Sequence, residues 1–213
     1  MERVANVVGA SGLVGQHLVA QLLSRTEFER IRIFVRRKTG LFHPILEEHV
    51  IDFDKPETWR HLVTGVVLFS ALGTTLKAAK TKENQYKVDF GYQYEFAKAA
   101  AANGVPIFIL VSSIGANARS SFFYTRVKGQ LEDAVSRLKF KKLVIFRPSI
   151  LEGERDEKRR GEKFWIAVFR AFTVFFLKNY EPTPADWMAS SMIRQSLDET
   201  EGIRILEGKK VLW

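Results

Sequence analysis

The stretch "VVGASGLVGQHLVAQLL", residues 7–23, decides how this chain is read. Its start continues a short apolar run, Val4 to Val8. Gly9, Gly12 and Gly15 follow, with Ser11 among them. Leu13, Val14, Leu18, Val19, Leu22 and Leu23 then recur at helical spacing. Together they predict a strand, a tight turn and a helix. Such a turn collects free N–H groups at the positive end of the helix dipole, which is a cradle for an anion. Glycines let the backbone of the cradle approach its ligand.

Outward from this unit the same alternation continues. Predicted strands are Val4–Val8, Ile31–Val35, His49–Asp52, Val66–Ser70, Ile107–Val111, Leu143–Phe146 and, more weakly patterned, Ile203–Leu206. Predicted helices are Leu13–Ser24, Pro56–Val63, Asn84–Asn103, Phe122–Leu138, Glu162–Leu177 and Ala185–Leu197. Strands apolar on both faces belong in a buried parallel sheet, and their alternation with helices implies βαβ units. The expected fold is therefore α/β: a Rossmann-type, doubly wound parallel sheet with helices on both faces. One domain is expected over residues 1–213, with a small substrate or cap region at 151–213. Pro56 supports a helix start, and Asn103-Gly104 before Pro106 supports a helix end.

Composition narrows the function classes. The chain has no cysteine, which excludes disulfides, thiolate chemistry and cysteine zinc sites. His17, His43, His49 and His61 lack metal-ligand spacing and read as surface or packing residues, so no metal is expected. Residues 1–20 carry no secretory signal, and the expected location is cytoplasmic. The net charge of +9 favours anionic partners such as a phosphorylated cofactor, an acidic substrate or an anionic membrane. No nucleic-acid-binding motif accompanies it, and nucleic acid is not an expected partner.

Two stretches near the C-terminus stand apart. "EGERDEKRRGEK", residues 152–163, is charged without apolar period and is expected as a loop over the carboxyl edge of the sheet. "FWIAVFRAFTVFFL", residues 164–177, is interrupted by Arg170 and too short for a membrane span of about 20 apolar residues. It is read as a buried helix, or as the lining of an apolar substrate pocket, a homodimer contact or a membrane contact. No transmembrane segment is expected.

The glycine turn lies in the first βα connection, where dinucleotide-binding folds place it. NAD-preferring sites carry an acidic residue about 20 residues further on, to hold the ribose hydroxyls. Here Arg36 stands 21 residues after Gly15, followed by Arg37 and Lys38. Two guanidiniums suit a 2′-phosphate, and the expected cofactor is NADP(H).

A reaction centre is expected at Tyr124 and Lys128, four residues apart on one helix face. Lys128 is expected to lower the proton affinity of the phenol, so that it exchanges a proton near neutrality. Ser112 and Ser113 end the strand Ile107–Val111, and either is a candidate to hold a substrate oxygen. Tyr94 and Lys98 have the same spacing without an upstream serine and read as a decoy.

The stretches "GASGLVG", "VRRK", "ALGTT", "VSSIGA", "YTRVKGQLEDAV" and "FRPSILEGERDEKRRGE" resemble the atypical short-chain dehydrogenase/reductase family. More closely, they resemble its small oxidoreductases related to the Tat-interactive protein. The resemblance implies a pyrophosphate at Ser11, Gly12, Leu13 and Val14, and a 2′-phosphate on Arg36 and Arg37. It implies Leu72 and Gly73 beside the adenosine and ribose. It makes Tyr124 the proton donor or acceptor and Lys128 the holder of the nicotinamide ribose. Leu151 and Arg159 would close over the cofactor. The chain departs from the wider superfamily at Asp89, where many members place an asparagine. Only 62 residues follow Leu151, which argues against a bulky sugar nucleotide as substrate.

Two functions are open at this point. One is an NADP(H)-dependent oxidoreductase acting on a small-molecule carbonyl, alcohol or quinone. The other is an NADP(H) sensor or scaffold whose 152–177 region contacts a protein partner.

Overall fold

The first strand, β1 (Val4–Val8), is buried along its whole length, including Asn6, whose side-chain amide donates to the Thr64 and Val67 carbonyls. A computed structural model describes residues 3–149, 151–152 and 182–212. After β1 come α1 (Leu13–Leu23), β2 (Arg30–Val35), β3 (Leu46–Val50) and β4 (Val67–Ser70). Two short helices, α2 (Leu76–Ala79) and α3 (Lys82–Tyr86), lead into α4 (Gln93–Ala102) and β5 (Ile107–Val111). Then follow α5 (Phe123–Val135), β6 (Lys142–Arg147), β7 (Leu151–Glu152), β8 (Thr183–Pro184), α6 (Ala185–Leu197) and β9 (Gly202–Glu207).

Seven strands form one sheet in the order β3-β2-β1-β4-β5-β6-β9, every neighbouring pair parallel. This is the doubly wound Rossmann-type fold. The order reverses between β1 and β4, and ligands bind outside the carboxyl ends of strands at such a point. Alternation along the strands builds two cores. Val7, Ile33, Phe69, Ile109 and Val144 pack with α1 and α6 on one face. Val8, Phe34, Leu68, Phe108 and Ile145 pack with α4 and α5 on the other. From the 151–213 region, α6 and β9 are part of this main body, while β7 and β8 make a separate two-stranded pair.

Three of the predicted elements take a different form, and the helix Leu76–Ala79 and the strands Leu151–Glu152 and Thr183–Pro184 were not predicted. The predicted helix Pro56–Val63 is two short 3-10 turns, Pro56–Thr58 and Arg60–Leu62. Trp59 interrupts it: fully buried, it stacks on Phe96 with centroids 4.1 Å apart and donates its indole N–H to the Asp52 carbonyl. The third strand starts at Leu46 rather than His49, because Arg30 and Arg32 from the neighbouring strand pair with Glu47. The predicted helix Asn84–Asn103 is broken by a π-helical stretch, Lys87–Tyr92. Residues 153–181, including the expected helix Glu162–Leu177 and loop residue Arg159, lie outside the described residues.

Candidate functional site

The glycine turn is built by close backbone approach. Gly9 has φ of +88°, and a Cβ there would stand 2.5 Å from the Ala71 carbonyl carbon and the Leu72 nitrogen. Only glycine fits that position. Gly12 donates its N–H to the Gly9 carbonyl at 2.9 Å and sits at the N-cap of α1. No side chain caps this helix and no acid occupies its first turn, leaving its positive end unshielded. Ser11 is exposed, while Leu13 and Gly12 are half-buried and Val14 and Gly15 buried. The turn therefore suits an anionic group: its backbone is tight, its first-turn donors lack a side-chain partner and its field is positive.

Arg36, Arg37 and Lys38 follow β2 directly and are all exposed. No acidic residue occupies that strand end. Across the sheet's reversal point, Leu72 packs partly on the α4/α5 core and Gly73 is exposed. A Cβ on Gly73 would lie 3.4 Å from Asp89 Oδ1 and 4.0 Å from Lys128 Nζ, so this loop runs beside the tyrosine–lysine helix. Leu151 pairs with Thr183 in the small β7–β8 pair and packs on the α1/α6 core.

Lys128 is buried, and its Nζ lies 3.3 Å from Asp89 Oδ1 and 5.9 Å from the centroid of the Tyr124 ring. Asp89 is completely buried. The Thr74 N–H donates to its Oδ1 at 3.3 Å. Its Oδ2 is buried without a hydrogen-bond partner among the described residues. The π-helical stretch carries Asp89, and helices of that kind occur often at functional sites. Burial pushes the Lys128 ammonium toward losing its proton, but Asp89, Tyr124 and Glu132 outweigh it, and its pKa is raised. Burial raises the Asp89 carboxyl above its ordinary value against the pull of Lys128.

Tyr124 is half-buried with Ser113 near its phenol, and the Ser113 hydroxyl itself donates to the Ile114 carbonyl at 3.2 Å. Lys128 draws its pKa down, as expected, yet burial and the Asp89 charge prevail and the phenol holds its proton more tightly than free tyrosine. The expectation of a lowered phenol is thereby corrected.

The two serines part company. Ser112 is buried and donates to Glu132, whose carboxylate is also gripped by Arg147 at 2.6 Å. Glu207 completes this cluster, 3.0 Å from Arg147. Ser112 is thus engaged away from Tyr124, while Ser113 faces it. Glu132 was not anticipated from sequence, although it lies one helical turn beyond Lys128 on the same face. The decoy pair is a surface feature of α4: Lys98 is exposed and bound to Glu95 at 2.9 Å. Among the described residues, no cluster of His, Asp or Glu is arranged to hold a metal.

Residues 9–161 match the family described as NAD(P)H-binding, and a protein of that class is what the turn and sheet define. Its particular kin are the FMP52 proteins, and the chain belongs to that family. It is 34% identical over 221 residues to "Protein fmp52, mitochondrial" of Aspergillus fumigatus, covering 99% of this chain and 94% of that one. It is 42% identical over 160 residues to "Protein FMP52-1, mitochondrial" of Scheffersomyces stipitis, covering 73% and 70%. In fold it is similar to the UDP-glucose 4-epimerase of Thermotoga maritima solved with UDP-glucose, at a TM-score of 0.72 and 14% identity, covering 97% of this chain and 77% of that one. A short-chain dehydrogenase/reductase superfamily protein from Agrobacterium tumefaciens with bound NAD gives 0.71 and 16%, with the same coverage. The family name bears on location as well. The cytoplasmic expectation is overturned, because these relatives are named as mitochondrial proteins. Lack of a secretory signal speaks only to the secretory route and says nothing about an organelle address.

Proposed function

We propose that this chain is an NADP(H)-dependent oxidoreductase of the short-chain dehydrogenase/reductase type, acting on a small carbonyl, alcohol or quinone in the mitochondrion. It keeps the likeness to the small Tat-interactive-protein-like oxidoreductases that its motifs carry. The observation that carries the reading is the convergence of Tyr124, Lys128 and Ser113 beside the Gly73 loop, at the sheet's reversal point.

The backbone at Ser11, Gly12, Leu13 and Val14, between Gly9 and Gly15, holds the pyrophosphate. Arg36 and Arg37 pair with the 2′-phosphate, since no carboxylate there would accept a free 2′-hydroxyl. Leu72 and Gly73 flank the adenosine side and Leu151 closes over the cofactor; Arg159, proposed with it, lies outside the described residues. Lys128 donates to the nicotinamide ribose. When bound, the nicotinamide supplies or accepts a hydride. Ser113 holds the substrate oxygen and Tyr124 exchanges a proton with it. Ser112 supports this arrangement through Glu132 without touching the substrate.

Tyr124→Phe tests the reading. NADPH binding, measured by calorimetry, is expected to be unchanged within twofold. Turnover over a panel of carbonyls and quinones is expected to fall by about 10²-fold or more, the scale of a lost acid–base group. Equal turnover in mutant and wild type would overturn it.

A further inference from the structure

Asp89 places a buried charge beside the tyrosine–lysine pair. An asparagine at this point would be neutral. Instead a carboxylate with no solvent exposure is brought by the π-helical stretch to 3.3 Å from a lysine that is itself 2% exposed. Gln93 secures the stretch. Its side-chain amide donates to the Asp89 carbonyl at 2.9 Å, and its oxygen accepts from the Ser70 hydroxyl at 2.8 Å. The pairing is therefore not an accident of a flexible surface residue.

We propose that Asp89 is a positioning residue whose buried ion pair with Lys128 draws that ammonium's field away from Tyr124, so that the resting site holds the phenol protonated, ready to give its proton to a carbonyl oxygen. This rests on the oxidoreductase reading above and sets the resting protonation state of its acid–base group.

The charges around the phenol support it. On α5 the charged group acting on the phenol is Lys128, on the π-helical stretch it is Asp89, and on the loop after β5 it is the neutral Ser113; Glu132, one turn beyond Lys128, acts on that lysine and is itself paired with Arg147. A lone ammonium in a dry site would favour the phenolate. Adding one carboxylate at ion-pair distance brings the Lys128–Asp89 pair to zero net charge, and burial then favours the neutral phenol. The step balances simply. A carbonyl carbon receives a hydride with its electron pair, the C–O π pair moves onto oxygen, and that oxygen takes the Tyr124 proton. Water returns the proton to the phenolate, and the reduced nicotinamide has lost two electrons.

The test is a titration of tyrosine ring carbons by NMR on the full chain without nucleotide, with Tyr124→Phe assigning the Tyr124 signal. In the wild type, Tyr124 is expected to ionise above the ordinary tyrosine value of about 10. In Asp89→Asn it is expected to ionise at least one unit lower than in the wild type, a tenfold fall in proton affinity. With turnover present, Asp89→Asn is also expected to move the pH profile of kcat to lower pH by a similar amount. Wild-type ionisation below about 9 would overturn the proposal. So would an unmoved Tyr124 in a folded Asp89→Asn protein, which would leave Asp89 a purely structural ion pair. The wild-type arm stands even if the variant does not fold. If no substrate turns over while the titrations behave as expected, it is the oxidoreductase reading that fails and not the coupling of Asp89 to Tyr124.

Discussion

Gly15 on α1 lies directly against the carbonyl of Gly9, so close that a Cβ on Gly15 would overlap that oxygen. The first and third glycines of the turn thus serve one another: Gly9 turns the chain out of β1, and Gly15 lets the helix pass over it. Gly12 differs, since a Cβ there would meet the Gly9 oxygen at 3.2 Å. Gly15→Ala is expected to destabilise by about 1–3 kcal/mol, the usual cost of forcing extra volume into packed surroundings. Gly12→Ala is expected to cost clearly less stability but to weaken NADPH binding by crowding the cradle. Urea unfolding and calorimetric titration of both variants would check the division.

Arg36 and Arg37 are expected to discriminate between the two nicotinamide dinucleotides. Wild-type protein should bind NADPH at least tenfold more tightly than NADH, a difference of about 1.4 kcal/mol. Replacing both arginines with alanine should erase that ratio by weakening NADPH binding alone. Parallel titrations with the two nucleotides would show it, and equal weakening of both would contradict the 2′-phosphate assignment.

The serines offer a paired comparison. Ser112→Ala removes a hydrogen bond to a buried carboxylate that Arg147 still holds, and should cost about 1–2 kcal/mol of stability. Its effect on turnover should be small beside that of Ser113→Ala. The latter should leave unfolding unchanged and reduce kcat by about 10²-fold, the scale of losing an oriented donor at the reacting oxygen. Steady-state kinetics and thermal unfolding on the same samples would separate the two.

Acid stability should depend on Asp198, which ends α6 and ties it to β6. Its carboxylate accepts from the Thr200 N–H at 2.8 Å and from Lys142 Nζ at 3.1 Å. Hydrogen bonds from Thr200, with Lys142 beside them, hold its pKa below the ordinary carboxylate value. A depressed pKa contributes stability that is present above the unfolded value of about 4 and is lost as pH falls below it. Asp198→Asn should therefore be less stable near neutrality and show a shallower loss on acidification from about pH 4 downward. Urea midpoints measured across that range would report it.

Much of the architecture was legible in local pattern. Val4–Val8 and Ile107–Val111 coincide with their predicted strands, and Ala185–Leu197 with its predicted helix. Errors came where a distant partner overruled local preference. Trp59 is drawn into the core against Phe96, 37 residues away, and breaks the expected helix. Glu47 lies mid-strand because Arg30 and Arg32 neutralise it from the next strand. The π-helical stretch Lys87–Tyr92 escaped detection since apolar spacing of an α-helix carries no signal for it.

By itself the sequence determined the alternating layers, the three-glycine turn, the basic end of β2 and the shared helix face of Tyr124 and Lys128. Each depends on the period of a strand or helix, or on spacing within a few residues, and such interactions survive in any fold that forms those elements. Tertiary structure alone decided that Ser113 rather than Ser112 faces Tyr124, and that Asp89 reaches Lys128. Ser112 is claimed by Glu132, 20 residues on, and Asp89 meets a lysine 39 residues on. The proton affinity of Tyr124 followed from these contacts, because burial and the charges brought around a group outweigh its position in the chain.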